Sequence, residues 1–158
     1  METPQMQYEY VDLSNKFMDI AYTYAKRLYL EHGWNKKTIP VCLIIKDGTF
    51  IAKGICSDGG HAKEGKCDRL SESGLPYDTC KHCAIDQHAE IKALQSAGDQ
   101  DLHGAEIYLY GHYKSCPDCI QALSDRGIHK CYLLENSEVL FNRHDKRSVL
   151  GTSEQFSK

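Results

Sequence analysis

No stretch of the chain approaches the roughly 18 consecutive apolar residues that a membrane-crossing helix requires, so no membrane segment is expected. A dominant charge of one sign is also missing: 19 Lys and Arg stand against 22 Asp and Glu, for a formal net charge of -3. That balance excludes coating of nucleic acid by bulk electrostatics, while leaving room for a local basic groove. Met1 to Gln7 lacks the charged and apolar regions of a secretory signal, and a cytoplasmic location is expected. No internal repeat or low-complexity segment appears, which excludes repeat architectures. At 158 residues the chain is expected to fold as one domain, 1–158, with a core of its own.

What the chain does have is cysteine. In the absence of a secretory signal, its eight cysteines read as thiolates rather than disulfides. Cys67, Cys80, Cys83, Cys116 and Cys119 fall in metal-like contexts. Cys42, Cys56 and Cys131 sit in or beside apolar strand-like runs, and core packing is expected for Cys42 and Cys131.

Met1 to Gln7 reads as a frayed terminus, and the polar tail from Gly151 as loose. Leu13, Phe17, Ile20, Ala21, Tyr24 and Leu28 recur at helical spacing up to about His32, with Gly33 as the stop. Ile39–Ile45 and Thr49–Ile55 are β-branched runs joined by Lys46-Asp47-Gly48, a hairpin signal. Ser57 to His82 is glycine-rich and polar with little periodicity; a loop of that length needs a function or something to hold it. Helical character resumes over His88–Gln95. Ala105–Tyr110 reads as a strand, Cys116–Arg126 as a helix, His129–Leu134 as a strand and Val139–Phe141 as a short final strand. This alternation predicts an α/β domain in which the strand-helix-strand step around Cys116 crosses over right-handed between parallel strands.

The chemistry concentrates in His88-Ala89-Glu90 and Cys116-Pro117-Asp118-Cys119. A histidine and two cysteines give three ligands for a catalytic zinc whose fourth position stays open for water, and Glu90 is left as proton carrier. Cys116 and Cys119, three apart at a helix start, share one face, and Pro117 fits the first turn. A helix N-terminus also favours thiolate over thiol. Residues two apart in a regular helix diverge by about 200°. His88 and Glu90 therefore serve one site only if the helix begins at or near His88.

Asp86-Gln87-His88-Ala89-Glu90-Ile91-Lys92-Ala93-Leu94 and Ser115-Cys116-Pro117-Asp118-Cys119 resemble the zinc-dependent cytidine and deoxycytidylate deaminase superfamily, over about Leu13 to Leu134. The resemblance implies a three-layer α/β/α sandwich around a mixed sheet of four to five strands. It also implies zinc on His88, Cys116 and Cys119, Glu90 as proton shuttle, and a homo-oligomer. Cys67-Asp68-Arg69, Ser73-Gly74 and Cys80-x-x-Cys83 most resemble deoxycytidylate deaminases, many of which carry a second, structural zinc in this region. Two positions depart from the family pattern. Ser115 stands where proline is usual, and the turn Gly54-Ile55-Cys56-Ser57-Asp58-Gly59 lacks the asparagine that binds the sugar.

Cys67, Cys80 and Cys83 supply three soft ligands for a second zinc held in the 57–83 loop. His61, His82, His32 or Cys56 is the fourth, and His61, in the same loop, is favoured. A competing reading joins Cys80-x-x-Cys83 to Cys116-x-x-Cys119 as a four-cysteine zinc ribbon, a structural binding module. Against it, a helix lies between the two pairs and another follows Cys119. His112 and Tyr113, just ahead of the zinc cysteines, are positioned to line a substrate pocket. Arg143-His144-Asp145-Lys146-Arg147 reads as solvated surface, with a phosphate or nucleic-acid contact as its functional alternative. The expected activity is hydrolytic deamination of a cytosine-type base on a free pyrimidine nucleotide such as deoxycytidylate. Another base, a nucleoside or cytosine in nucleic acid is the alternative substrate.

Overall fold

The structure, a computed structural model, describes residues 4–33, 39–67, 77, 80–142, 144–150 and 153–156. The chain runs through β1 (Gln7–Val11), α1 (Lys16–His32), β2 (Val41–Lys46), β3 (Thr49–Ile55), α2 (Gly60–Glu64), α3 (Ala89–Ala97), β4 (Glu106–Tyr110), α4 (Pro117–Asp125), β5 (Lys130–Leu134) and α5 (Ser137–Leu140). The strands form one mixed sheet in the order β1-β5-β4-β2-β3. β2 is antiparallel to β3 and β4, whereas β5 runs parallel to both β4 and β1. Among the described residues no helix is long and apolar enough to cross a membrane.

β2 reads Val-Cys-Leu-Ile-Ile because it is covered on both faces, and its alternation assigns each face a helix. Val41, Leu43 and Ile45 pack with Met18, Ala21, Tyr22 and Ala25 of α1. Cys42 and Ile44 pack with Ala89, Ala93, Leu94 and Ala97 of α3 and with Leu123 of α4. Helices on both faces make the α/β/α sandwich expected from the sequence. The β2–β3 turn is also where the sequence puts it, with Asp47 at φ 51° and Gly48 at φ 75°, the two left-handed positions such a tight hairpin demands. Asn15 caps α1 by accepting from the Phe17 and Met18 N–H groups, each at 3.0 Å.

Several sequence expectations are corrected. Gln7, read as frayed, begins β1, and Met6 beside it is buried. β1 finds its partner in β5, more than a hundred residues away, so no local pattern announces it. Val139–Phe141 is not a strand: Ser137–Leu140 is helical. β5 is flanked by β1 and β4, so the segment that follows it cannot extend the sheet beside β5. The tail is not wholly loose either. Ser153–Phe156 forms a 3₁₀ turn that lays the Phe156 ring 5.0 Å from Tyr29 and 5.8 Å from Tyr22, centroid to centroid. The stretch read as a loop from Ser57 contains α2.

Gly54, inside β3, is what lets α3 lie against the sheet. A Cβ there would stand 2.1 Å from the Ala89 carbonyl oxygen and 2.2 Å from the Ala93 nitrogen. Gly54→Ala must push α3 outward and is expected to cost about 1–3 kcal/mol, the usual range for overpacking. A lower urea midpoint at unchanged slope is the expected readout. A wild-type midpoint would mean that α3 is free to retreat.

Candidate active site

His88 is the N-cap of α3, with extended backbone at φ -63° and ψ 148°, and Glu90 lies in the first turn. The divergence of a regular helix is thereby avoided: His88 stands off the helix end while Glu90 points inward. Cys116 is the N-cap of α4, its sulfur accepting from the Cys119 N–H at 3.4 Å, and Pro117 takes the first helical position. The two helix starts meet.

His88 Nδ1 lies 3.4 Å from Cys119 Sγ and 3.6 Å from Cys116 Sγ. Nitrogen and sulfur ligands at about 2.0 and 2.3 Å around a tetrahedral zinc stand roughly 3.6 Å apart, so the three donors fit such an ion. The other ring nitrogen, Nε2, donates to the Cys83 carbonyl at 3.0 Å. A carbonyl only accepts, so Nε2 carries the proton and Nδ1 turns a lone pair toward the sulfurs.

The electrostatics favour a cation among these groups. Donation from the Cys119 thiol and N–H, with His88 beside it, holds the Cys116 thiol down to about 4. Its partner Cys119 moves the other way, keeping the shared proton. Burial alone pulls His88 down, but the Cys116 sulfur, Glu90 and the Cys83 carbonyl together carry it up. Glu90 is only 2% exposed, and burial pushes its carboxyl above the usual carboxylate range. Its Oε1 has no hydrogen-bond partner among the described residues. A buried carboxylate oxygen left this way is costly unless a cation or a donor reaches it.

A second group forms from His61, Cys67, Cys80 and Cys83, all buried. Cys67 Sγ is 3.9 Å from Cys80 Sγ and 3.5 Å from Cys83 Sγ, while His61 Nε2 is 3.5 Å from Cys80 Sγ and 3.4 Å from Cys83 Sγ. Donors about 2.0–2.3 Å from one tetrahedral ion have edges of roughly 3.5–3.8 Å, which these distances match. The other residues weighed as fourth ligand are engaged elsewhere. His82 Nδ1 is 2.5 Å from Ser57 Oγ and its Nε2 3.0 Å from Glu64, Cys56 donates to the His82 carbonyl at 3.3 Å, and His32 lies 3.9 Å from Glu31 at the end of α1. Because Cys80 and Cys83 group apart from Cys116 and Cys119, one ion cannot take all four, and the zinc-ribbon reading falls.

His112 and Tyr113 are half-buried between β4 and Cys116, with the Lys114 ammonium 5.6 Å from the Tyr113 ring. Asp68, Arg69, Ser73, Gly74 and Arg143 lie outside the described residues. Of the basic cluster, Asp145 and Arg147 pair with each other at 3.2 Å. Three contributions went unread in the sequence. The Tyr8 hydroxyl accepts from the Ser115 N–H at 3.0 Å and so props the loop before Cys116. The Tyr77 ring stands edge-on to His88, centroids 4.8 Å apart. The Cys83 backbone orients the His88 ring, and no residue-type pattern encodes a carbonyl.

A family model described as the cytidine and deoxycytidylate deaminase zinc-binding region matches residues 12–135. The chain belongs to this family. The model's description names a zinc-binding region, and both His/Cys groups fall within the matched residues. Among solved structures it is similar to RibD of Acinetobacter baumannii, with 27% identity over 74% of this chain and 26% of that one, and a TM-score of 0.41. It therefore spans about a quarter of that protein's length. It is also similar to the dCMP deaminase of cyanophage S-TIM5, with 17% identity over 80% of this chain and 90% of that one, at a TM-score of 0.42. No curated protein matches the chain.

Glu64 gives a pH-dependent outcome. Lys81, 2.7 Å away, and then His82 hold its carboxyl at about 2 against an ordinary 4.5. A depressed carboxyl contributes stability that is full above about pH 4.5 and is lost as pH falls toward 2. Carbon-13 titration is expected to show Glu64 ionising near 2, and Lys81→Met to move it up. A midpoint near 4.5 in the wild type would contradict the pairing.

Proposed function

We propose that the chain is a zinc-dependent deaminase that converts a cytosine-type base to its uracil counterpart with release of ammonia, on a free pyrimidine nucleotide such as dCMP. One observation carries the reading. A buried carboxylate with a partnerless oxygen, Glu90, stands in the first turn of α3 beside a three-donor cluster, one donor short of a closed tetrahedral shell. His88, Cys116 and Cys119 would hold the metal, which when bound supplies a Lewis acid that makes water nucleophilic near neutral pH. Glu90 takes one proton of the attacking water and delivers it to a ring nitrogen. Once the C–O bond has formed it takes the second proton from that hydroxyl and passes it to the amine, so that the C–N bond breaks to leave ammonia and a carbonyl. A carboxyl raised by burial suits both halves of that relay, since it accepts and returns a proton without a large energetic gap. His61, Cys67, Cys80 and Cys83 would hold a structural zinc that ties the 57–83 segment to the domain.

Substrate identity is assigned to the turn after β3. Ser57 and Asp58 adopt left-handed backbone at φ 48° and 53°, a conformation that costs a non-glycine residue about 1–2 kcal/mol. Asp58 is fixed by Lys92 of α3 at 3.4 Å, two residues past Glu90. Strain of this kind collects at binding sites, and here it occupies the position where related enzymes carry a sugar-binding asparagine. His112 and Tyr113 complete the proposed pocket wall.

Glu90→Gln is expected to lower ammonia release by about a hundredfold or more, as loss of a general acid-base does, while leaving zinc content and the unfolding midpoint unchanged. The assay offers dCMP, deoxycytidine, cytosine, guanine and a cytosine-containing single strand. Turnover of dCMP, lost in the variant, supports the reading. Silence across all five from metal-loaded protein contradicts it. Two zincs per chain are expected, falling to one in Cys119→Ser.

A further inference from the structure

We propose that Cys83 couples the two ligand clusters into a single unit, so that a metal on His61, Cys67, Cys80 and Cys83 tightens metal binding at His88, Cys116 and Cys119. The inference rests on both clusters taking metal, but not on the choice of substrate. Cys83 belongs to both places at once. Its sulfur lies 3.5 Å from Cys67 Sγ and 3.4 Å from His61 Nε2, while its carbonyl oxygen accepts the Nε2 proton of His88 at 3.0 Å. The oxygen is fixed by the planar Cys83–Ala84 peptide and is only a few bonds from the sulfur, so a shift of the sulfur moves the acceptor.

The connecting segment has no slack to absorb such a shift. The Gln87 N–H donates to the Ala84 carbonyl at 2.8 Å and the His88 N–H to the Ile85 carbonyl at 3.1 Å, which closes the chain between the two clusters into one tight turn. The residue on the other side is held as firmly. His82 has Ser57 Oγ 2.5 Å from one ring nitrogen and Glu64 3.0 Å from the other, and its carbonyl accepts from Cys56. A second contact runs the same way: the Tyr77 carbonyl accepts the Cys80 N–H at 3.3 Å, and the Tyr77 ring lies against His88. Two side-chain and backbone routes thus lead from the four-donor cluster to one imidazole.

An outer partner that fixes a ligating histidine is typically worth ten- to a hundredfold in metal affinity. Cys83 and Tyr77 are accordingly positioning residues for His88. Coupling between two binding sites is also reciprocal, which gives the test two arms. Cobalt(II) is titrated into metal-free protein, and its visible spectrum distinguishes a three-sulfur, one-nitrogen site from a two-sulfur, one-nitrogen site. Cys67→Ser, which touches neither His88 nor Cys116, is expected to weaken cobalt at His88-Cys116-Cys119 by about tenfold, to shift its spectrum, and to move the downfield His88 Nε2–H proton resonance. Cys116→Ser is expected to weaken cobalt at the four-donor cluster by the same factor. This second arm needs no change in the 57–83 segment, so it stands even if Cys67→Ser fails to fold. Unchanged affinity and spectrum in either folded variant would overturn the coupling while leaving the deaminase reading intact. Failure of the wild-type protein to take cobalt at His88-Cys116-Cys119 would overturn both.

Discussion

The site depends on how closely α3 is allowed to approach the sheet. Its first turn carries His88 at the cap and Glu90 just inside, and it rests on β3 at Gly54, where no side chain intervenes. With the backbone seated there, the cap histidine meets the start of α4, and the carboxylate is driven into the layer between helix and sheet. A residue with a Cβ at that point would separate the ligands before any question of chemistry arose. The parallel β4-α4-β5 crossover provides the other half, delivering Cys116 and Cys119 at the end of β4 nearest α3.

That placement has an electrostatic consequence. Glu90 is among the most buried polar side chains of the molecule, close enough to Cys42, Cys119 and Cys131 to influence each of them. An apolar, sulfur-lined environment raises a carboxyl by desolvation and gives it no hydrogen-bond partner for one oxygen. The same environment would simply destabilise a purely structural protein, and one with no use for the carboxylate would be better served by a leucine. Under the proposed function, three donors beside it would turn the burial into a working feature, since a proton carrier has to be neither firmly ionised nor firmly neutral.

Much of this was legible before any coordinates. The Asp47-Gly48 hairpin, the caps at His88 and Cys116, and the parallel step around α4 are all local: turn residues, helix starts and one short crossover whose hand and direction chirality fixes. The shared face of Cys116 and Cys119 was legible because the start of one helix sets their spacing. What was not legible depends on distant partners. β1 pairs with β5, more than a hundred residues away, and Ser137–Leu140 is helical beside a β5 already flanked on both sides. Phe156 is buried because Tyr22 and Tyr29 on α1 leave a place for its ring. The roles of the Tyr8 hydroxyl and the Cys83 carbonyl follow from backbone positions, which residue identities do not specify. His61 was favoured among several equals on chain proximity alone; the structure separates it from His82, His32 and Cys56 by what each of those side chains already touches.

Anomalous diffraction at the zinc absorption edge, from crystals grown with one and with two equivalents of zinc, tests the central claim most directly. A peak about 2.0–2.3 Å from His88 Nδ1, Cys116 Sγ and Cys119 Sγ, with the Glu90 carboxylate facing the fourth position without ligating, is the expected result. A fully zinc-loaded crystal with no peak there would remove the metal centre, and Glu90 completing a closed four-ligand shell would make it structural; either contradicts the account.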